Sequence, residues 1–86
     1  MYNVYVLQSK ENDKYIGYTR NIRERLKEHN SGMNKSTKGK QWRVVYVESY
    51  LAKEDATMRE KRLKDDGRAR YQLMKRIEKS LEHKKK

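Results

Sequence analysis

Two short, mostly apolar runs near the N-terminus are rich in the β-branched and aromatic residues that are typical of β-strands. They are Asn3–Leu7 and Lys14–Tyr18, and the polar segment Ser9–Asp13 between them has the length of a hairpin loop. Successive side chains of a strand point to opposite faces, so Tyr15 and Gly17 are expected on the same face. In this hairpin Gly17 either leaves the backbone beside Tyr15 open to a phosphate or marks a simple strand-end kink.

Trp42–Tyr50 is interpreted as an alternating segment and is predicted to be a third strand. Regular alternation would place Val45 and Val47 on one side and Val44 and Tyr46 on the other. Between the hairpin and this strand, residues 31–41 contain three Lys, two Gly, two Ser and no acid. That composition is typical of a flexible basic loop.

Three segments have the periodicity and end signals of helices. The first is capped by Asn21 and stops at the Asn-Ser-Gly sequence of residues 30–32, and an Asp-Asp-Gly sequence at 65–67 separates the other two. The predicted helices are Ile22–His29, Ala52–Lys64 and Arg68–Leu81. The order β-β-α-β-α-α predicts an α/β domain of the α+β type.

On the first helix, Arg25 and His29 flank the apolar stripe formed by Ile22 and Leu26. The stripe must pack on the sheet, so both polar side chains are expected at the margin of the core. A guanidinium held there is either paired or available to an anion.

The second helix carries a narrow apolar stripe of Ala52, Ala56 and Leu63, and Glu60 lies beside it. Glu60 is the one acid of this helix that is predicted to face inward. The last helix has an inner face at helical spacing, made of Ala69, Leu73, Ile77 and Leu81.

Composition raises disorder as a competing possibility. The chain has 86 residues and a net charge of +11, and Leu, Ile, Val and Phe together number 14, a combination found in unfolded segments. Seven Tyr, one Trp and the clear periodicity favour a folded domain instead. Because the chain contains no Cys, disulfides and thiolate metal sites are excluded.

A strongly basic chain indicates a polyanionic partner, with nucleic acid ahead of a membrane surface. Residues 68–86 alone carry a net charge of +6. We expect one domain over residues 1–82 and a disordered basic tail over residues 83–86. The sequence has neither a membrane-span pattern nor a signal-peptide pattern, so the expected location is the cytoplasm.

Hydrolysis of a phosphodiester needs a proton acceptor for water, a cation for the charge that develops on the phosphoryl oxygens, and stabilisation of the leaving oxygen. Arg25 is a permanent cation whose fork suits phosphate, and Glu60 is a carboxylate able to bind Mg²⁺. Tyr5, Tyr15 and His29 are the available acid–base groups.

Each of these residues also has a plainer explanation. Strand tyrosines usually pack, and helix arginines are usually solvated. Glu60 has Lys64 four residues later as an ion-pair partner, and His29 near a helix end can interact with the helix dipole. Composition and periodicity alone therefore support a small basic α/β domain that binds nucleic acid.

One set of residues is more specific in combination than any of its members. It consists of Asn3-Val4-Tyr5, Tyr15-Ile16-Gly17, Thr19, Arg25, His29, Asn30, Ala56, Arg59-Glu60 and Leu63-Lys64. This set resembles the GIY-YIG nuclease superfamily, and within it the small single-domain bacterial branch related to Slx-type endonucleases. The resemblance runs from about Tyr2 to Leu73.

The resemblance implies a three-stranded antiparallel sheet flanked by helices, with the two motif tyrosines on adjacent strands. In that family Tyr5 would act as general base, while Tyr15 would orient water and phosphate. Gly17 would allow close approach, Arg25 would stabilise the transition state, and His29 would lie near the first tyrosine.

The resemblance also implies that Glu60 holds a single Mg²⁺ or Mn²⁺. Two positions depart from the family pattern. Asn3 stands where the first motif usually has Gly, and no Asn follows Asn34 although some members have one after the metal-binding Glu. Lys38, Thr37 or the last helix are the candidates to replace that contact.

Together these features predict a metal-dependent endonuclease that acts on DNA rather than RNA, on branched, nicked or single-stranded structures, in repair or recombination. Contacts to the nucleic acid are expected from Gly17, Lys35, Lys38, Lys40, Arg68 and Arg70. The alternatives are a nucleic-acid-binding module that keeps the fold but cuts weakly or not at all, and a cationic surface-binding protein. A targeting partner protein, a homodimer or the shape of the nucleic acid is expected to supply specificity.

Overall fold

The computed structural model describes residues 1–83, apart from the side chain of Ser36. Residues 84–86, the main part of the predicted basic tail, lie outside the described residues. Three strands form one antiparallel sheet, β1 Tyr2–Ser9, β2 Lys14–Thr19 and β3 Trp42–Tyr50. β1 lies in the centre, between β2 and β3.

Within residues 1–83 the chain forms four α-helices and one short 3₁₀ turn. The helices are α1 Ile22–Asn30, α2 Lys53–Asp65, α3 Gly67–Arg76 and α4 Glu78–Glu82, and the 3₁₀ turn is Lys35–Thr37. The α+β architecture and the order of its elements are therefore confirmed. Among these residues, the helices are too short or too polar to cross a membrane.

The hairpin turn between β1 and β2 is held by the side chain of Ser9. Its Oγ accepts hydrogen bonds from the backbone N–H of Glu11 (3.2 Å) and Asp13 (3.0 Å), and its hydroxyl donates to the Asp13 carboxylate (3.1 Å). Asn12 has a φ of 71°, a left-handed conformation that Asn tolerates. The turn fixes the register of the hairpin, and register decides which side chains share a face.

Each face of the sheet has its own core. On one face, which we call the α1 face, the buried side chains Tyr5, Leu7 and Trp42 pack with Ile22 and Leu26 of α1. On the other, the α2 face, the buried residues come from the sheet and from the later helices: Val4, Val6, Ile16, Ala56, Leu63, Leu73 and Ile77. The sheet thus separates α1 from α2 and α3.

Strand β3 departs from the predicted alternation. Tyr46 is opposite Val6 of β1, whereas Val44 is opposite the next residue of β1, so a β-bulge lies between the two pairs. Val44 therefore packs on the α1 face, while Tyr46 and Val45 pack on the α2 face. The predicted grouping of Val44 with Tyr46 and of Val45 with Val47 is wrong, because one extra residue shifts the alternation.

The later helices differ from the prediction in two details. Ala52 is exposed and precedes α2 as its N-cap, so it takes no part in the buried stripe. The predicted last helix is divided at Ile77, whose φ and ψ of −106° and 23° leave the helical region. Ile77 and Leu81 both remain packed against the α2-face core, so the predicted inner face holds although the helix is interrupted.

Helix α2 is anchored to β3 through Glu48. The Glu48 carboxylate accepts hydrogen bonds from Arg59 Nε (3.1 and 3.0 Å) and Nη2 (2.8 Å), from the Tyr46 hydroxyl (2.8 Å) and from the Tyr50 hydroxyl. Burial tends to raise the pKa of Glu48, but the bonds from Arg59 and the two tyrosines hold it below its usual value. The charged fork of Arg59 thereby fixes the rotation of α2 about its axis.

Candidate active site

A hydrogen-bonded chain of buried side chains begins at the phenol of Tyr5 on the central strand. Tyr5 is 2% exposed, and its Oη lies 2.9 Å from Nε2 of His29, which is fully buried at the end of α1. The other ring nitrogen, Nδ1, lies 2.7 Å from Oγ1 of Thr37. Because the Thr37 hydroxyl donates to the Asn34 carbonyl (3.3 Å), its oxygen accepts from Nδ1–H, and Nε2 accepts from Tyr5.

The surroundings keep both Tyr5 and His29 uncharged at neutral pH. Burial, reinforced by the positive charge of Arg25, lowers the pKa of His29. Burial also raises the pKa of Tyr5 well above its usual value, with a further contribution from Tyr15, while Arg25 opposes the shift and Glu60 adds to it. Tyr5 is therefore a proton donor and His29 a proton acceptor within one bond.

Arg25 and Glu60 both contribute to the pKa shift of Tyr5. Both charges act on the Tyr5 hydroxyl, although one comes from α1 and the other from α2. Helix α2 packs on the α2 face, whereas Tyr5 belongs to the core of the α1 face. The structure thus brings the predicted guanidinium and carboxylate into electrostatic range of the first motif tyrosine.

The rings of Tyr5, Tyr15, His29 and Trp42 lie close together, and we call them the ring group. The ring centroid of Tyr15 is 4.7 Å from that of His29, 6.3 Å from that of Tyr5 and 6.4 Å from that of Trp42. The Trp42 Nε1–H donates to the Thr37 carbonyl at 2.9 Å, so the group is tied to the 3₁₀ turn. The half-buried phenol of Tyr15 is held by these contacts at the edge of the sheet.

Gly17 is directly opposite Tyr5 in the hairpin, and the phenol of Tyr5 lies over it. A Cβ at this position would come within 2.3 Å of Tyr5 Oη and 2.5 Å of its Cζ. The space beside the glycine is therefore filled by Tyr5, which gives this residue a clear packing reason. Contact between Gly17 and a phosphate stays a prediction.

Arg25 lies half-exposed on α1 and lines an open cleft of about 390 Å³ together with residues of β2 and α1. Its Nε is 3.4 Å from the Glu28 carboxylate, an exposed pair of the kind that contributes at most about 1 kcal/mol. That pair uses Nε. Within residues 1–83 the terminal amino groups of Arg25 form no ion pair, so they are available to bind an anion.

Glu60 forms the ion pair that its spacing with Lys64 indicated. Lys64 Nζ is 3.1 Å from Oε2 of Glu60, whose side chain is 23% exposed. The same ammonium lies 5.6 Å from the centroid of the Tyr15 ring, a cation–π distance. The ion pair therefore places Glu60 near Tyr15, where a functional carboxylate is predicted.

The donor set around Glu60 restricts the metals that it suits. Within residues 1–83 there is no cluster of three or more His, Asp and Glu side chains that could hold a metal ion. Mg²⁺ commonly binds proteins through one or two carboxylates, with waters and substrate phosphates as the other ligands. A single half-buried carboxylate fits that mode, and it does not fit an all-protein metal cage.

Two motif residues, Thr19 and Asn30, position α1 together with its N-cap residue Asn21. Thr19 Oγ1 accepts a hydrogen bond from the Asn21 backbone N–H (3.1 Å), and Asn21 Oδ1 accepts from the Glu24 N–H (3.1 Å), which caps the helix start. At the other end, Asn30 accepts from the Trp42 N–H (2.7 Å) and donates to the Trp42 carbonyl (3.1 Å). These bonds set where Arg25 and the buried histidine lie relative to the sheet.

Asn3, which replaces the glycine usual in the first motif, has a structural function. It is buried, its Nδ2 donates to the Thr19 carbonyl (3.1 Å), and its Oδ1 accepts from the Ser49 hydroxyl (2.6 Å). The side chain thus links the central strand to both neighbours.

The predicted loop lysines differ in their contacts. Lys35 and Lys38 are exposed, whereas Lys40 forms an ion pair with Asp13 of the hairpin turn. The hydrogen bond from Lys40 lowers the pKa of Asp13. Lys40 therefore joins the basic loop to the hairpin, and phosphate contacts from all three lysines stay predictions.

The two predicted arginines of α3 differ in the same way. Arg70 Nη1 donates to the carbonyls of Leu63 and Lys64, both at 3.0 Å, and thus satisfies the C-terminal end of α2. Arg68 is exposed at the start of α3. Arg70 therefore has a structural task besides any contact with nucleic acid.

The sequence did not predict that Thr37, Trp42 and Lys64 contact the motif residues. It offers Thr37 only as a candidate to replace a missing Asn, and no sequence pattern indicates that a Thr in a basic loop bonds to His29. Lys64 did have a signal, since it lies four residues after Glu60 and within the motif set.

The sequence and the fold are similar to those of known proteins. Residues 1–75 match the family described as the GIY-YIG catalytic domain. UPF0213 proteins of Oceanobacillus iheyensis and Staphylococcus haemolyticus are 35% and 39% identical over 77 residues, covering 87% of this chain and 87% and 92% of theirs. The solution NMR structure of a UPF0213 protein from Bacillus halodurans is 34% identical, with a TM-score of 0.56, covering 87% of this chain and 84% of that one.

The matched region contains both motif tyrosines, the α1 arginine and histidine, and the α2 glutamate. The similarity also extends over most of the length of each relative. The chain therefore belongs to the GIY-YIG family, in its small UPF0213 branch.

Proposed function

We propose that the protein is an endonuclease that hydrolyses phosphodiester bonds in DNA. Membership of the GIY-YIG family suggests a nuclease, and a nuclease acts on nucleic acid. The observation that supports the proposal most directly is the hydrogen-bonded chain from Tyr5 through His29 to Thr37, in electrostatic range of Arg25 and Glu60.

The chain of hydrogen bonds offers a route for the proton of the attacking water. As that proton moves to Tyr5 Oη, the phenol proton moves to His29 Nε2, and the oxygen of the water forms its bond to phosphorus. The bond between phosphorus and the leaving oxygen then breaks, and the leaving oxygen takes a proton from solvent. His29 keeps its Nδ1–H on Thr37 throughout, so the imidazolium that forms stays oriented.

This route explains how a phenol with a raised pKa can serve as a base. Tyr5 never has to exist as a free phenolate, because His29 accepts its proton as the new one arrives. The lowered pKa of His29 keeps it neutral and able to accept at pH 7.

Arg25 and a metal ion held by Glu60 would stabilise the negative charge that develops on the phosphoryl group. The terminal amino groups of Arg25 would bind the phosphoryl oxygens as they become more negative. Glu60 would hold Mg²⁺ or Mn²⁺, which would supply Lewis-acid charge for the reaction. Lys64 would leave the Glu60 carboxylate and remain against the ring of Tyr15.

The substrate and the biological role are finer parts of the proposal. The net charge of +11 supports strong binding to phosphate backbones with little sequence preference. Recognition would therefore depend on the shape of branched or nicked DNA, or on a partner protein or second copy, in repair or recombination.

A second candidate is a nucleic-acid-binding module that does not cut. The observation in its favour is the Glu60–Lys64 ion pair, which neutralises the proposed metal ligand. Metal-dependent cleavage distinguishes the two candidates.

The test uses purified protein and a panel of labelled single-stranded, nicked and branched DNA, with Mg²⁺ or with EDTA. Tyr5→Phe, Arg25→Ala and Glu60→Gln should each reduce cleavage by about 100-fold or more, with much smaller losses of binding. Glu54→Gln, an exposed acid on the same helix as Glu60, is the control and should cleave normally. If wild type and Glu60→Gln cleave alike, or if both bind and neither cuts, the endonuclease proposal is wrong.

A further inference from the structure

We propose that a cleft between α2 and α3, on the flank of α2 away from Glu60, binds the phosphodiester backbone of the nucleic acid at a distance from the scissile bond. We call it the arginine cleft. It has a volume of about 420 Å³ and is lined by Arg59, Arg62, Ala69, Gln72, Leu73 and Arg76. The proposal rests on the proposed function for the identity of its ligand.

The cleft combines an apolar floor with a rim of hydrogen-bond donors. Leu73 and Ala69 form part of the core side of α3, so the floor is fixed by packing. Arg62, Gln72 and Arg76 are exposed around it. The residues that line the cleft include three guanidinium groups and no carboxylate.

Two of the three arginines are held in place by acids outside the cleft. Arg59 uses Nε and Nη2 for Glu48, and Arg62 uses Nε for Asp66 at 3.1 Å. Each contact leaves other N–H groups of the guanidinium for a ligand. Arg76 has no ion pair among the described residues, so the cleft retains a net positive charge.

This arrangement suits phosphate more than other anions. Planar guanidinium forks donate two parallel hydrogen bonds to phosphate oxygens, and several forks around one cleft bind adjacent oxygens of a backbone. Gln72 can donate to phosphate without adding charge. An amide donor and forks that are already oriented reduce the ordering cost of binding.

The position of the cleft separates it from the proposed catalytic group. Arg59 contacts β3, whereas Lys64, the partner of Glu60, contacts the ring of Tyr15 on β2. β2 and β3 lie on opposite sides of β1, so the two sites flank α2 on different sides. A strand or duplex arm bound in the arginine cleft would therefore be a different segment from the one being cut.

The experiment measures binding of a labelled branched DNA to the cleavage-deficient Glu60→Gln protein, with and without Arg62→Gln/Arg76→Gln. Both arginines are exposed, so folding should be retained, which thermal unfolding checks. We expect about tenfold weaker binding and a salt dependence whose log–log slope is smaller by about 2, one for each lost phosphate contact. With Glu60 restored, cleavage at DNA concentrations well below saturation should fall by about the same factor as binding.

The control removes the same charge elsewhere. Lys53→Gln/Lys79→Gln changes two exposed lysines outside the cleft, and its binding should weaken by less than about twofold. Equal losses in the two double variants would reduce the effect to net charge and overturn the proposal. The proposal is also wrong if Arg62→Gln/Arg76→Gln weakens the binding of a polyglutamate peptide but leaves DNA binding intact. That result would indicate that the cleft binds an acidic protein.

The two proposals fail in distinguishable ways. If the wild type cleaves DNA and Arg62→Gln/Arg76→Gln binds it normally, the arginine cleft is wrong and the endonuclease stands. If the wild type binds DNA through these arginines and never cleaves it, the cleft stands and the endonuclease is wrong. Absence of any DNA binding by the wild type would overturn both.

Discussion

At the scale of single residues, burial decides the protonation of the pair that would move the proton. His29 has a pKa below that of an ordinary His, because the buried ring is desolvated and Arg25 is nearby. In the unfolded chain the same ring titrates near pH 6.5. As the pH falls below about 6.5, the unfolded state therefore binds a proton that the folded state resists.

We predict that the free energy of unfolding decreases as the pH falls from about 7 through the lowered pKa of His29. Cleavage should decrease over the same range, because a protonated ring cannot accept from Tyr5. Urea unfolding at a series of pH values measures the first effect. His29→Gln should flatten this pH dependence, whereas His83→Gln, at the other and exposed His, should leave it intact. A slope that survives His29→Gln would contradict the assignment.

Gly17 provides a second test at the residue scale. Gly17→Ala would place a methyl group 2.3 Å from Tyr5 Oη, so the phenol must move from its bond to His29. We expect a loss of about 1–3 kcal/mol in the free energy of unfolding and a loss of cleavage. Gly67→Ala is the matched control, since its Cβ would meet only a side-chain nitrogen at 3.6 Å. Normal cleavage by Gly17→Ala would show that the phenol position is unimportant.

Lys64 should compete with a metal ion for Glu60. Lys64→Met removes the ammonium, and the affinity for Mn²⁺ should rise by up to about fivefold, since half-exposed ion pairs contribute up to about 1 kcal/mol. Electron paramagnetic resonance of bound Mn²⁺ measures this without activity. Lys61→Met removes a lysine that pairs with Asp65 at 2.7 Å on the same helix, and it should change the affinity little. Equal effects of the two substitutions would exclude a specific competition.

At the scale of elements, the contact between β3 and α2 determines where Glu60 lies. Arg59 and Glu60 are neighbours on one helix, so fixing the first toward Glu48 turns the second toward β2. The capping hydrogen bond at Asn21 and the two hydrogen bonds between Asn30 and the Trp42 backbone fix the orientation of α1. Each helix is thus rotated into place by polar contacts at its ends or on one side.

We predict that Glu48→Gln lowers the free energy of unfolding by about 2 kcal/mol, because Arg59 and two tyrosine hydroxyls lose a charged acceptor. Cleavage should fall more than DNA binding, since α2 is no longer held at one rotation. Urea unfolding and cleavage assays measure the two effects. Glu54→Gln, an exposed acid in the first turn of α2, is the control. A stability loss equal to that of the control would contradict the anchoring role.

Element prediction from sequence succeeded where the signal is local. Strand β3 has the predicted bounds, and both helix stops predicted from Gly-containing turns occur within a residue of their expected places. The bulge in β3 and the break at Ile77 were missed. A bulge depends on pairing with β1, and the break depends on packing against the core, so neither has a local sequence signal.

At the scale of the whole molecule, positive charge is spread over surfaces that have different tasks. Arg70 and Lys40 already stabilise the fold, whereas we propose that the arginine cleft and the exposed loop lysines bind phosphates. Binding and chemistry should therefore be separable by substitution.

Removing residues 84–86 tests this separation. The deletion takes away three lysines, and DNA binding should weaken with a salt slope reduced by about 0.9 for each lysine that contacts phosphate. The cleavage rate at saturating DNA should stay the same, because none of the ring group is changed. An unchanged salt slope would show that the tail makes no phosphate contact.

The sequence by itself determined most of the secondary structure, the basic character and the candidate residues for phosphoryl chemistry. These features follow from periodicity, turn signals and residue types, which are all local properties of the sequence. Tertiary structure alone decided that Tyr5 lies over Gly17 and bonds to His29, that Thr37 orients the His29 ring, and that Lys64 lies over the ring of Tyr15. Those contacts depend on strand register and on the rotation of each helix, which packing between distant segments sets.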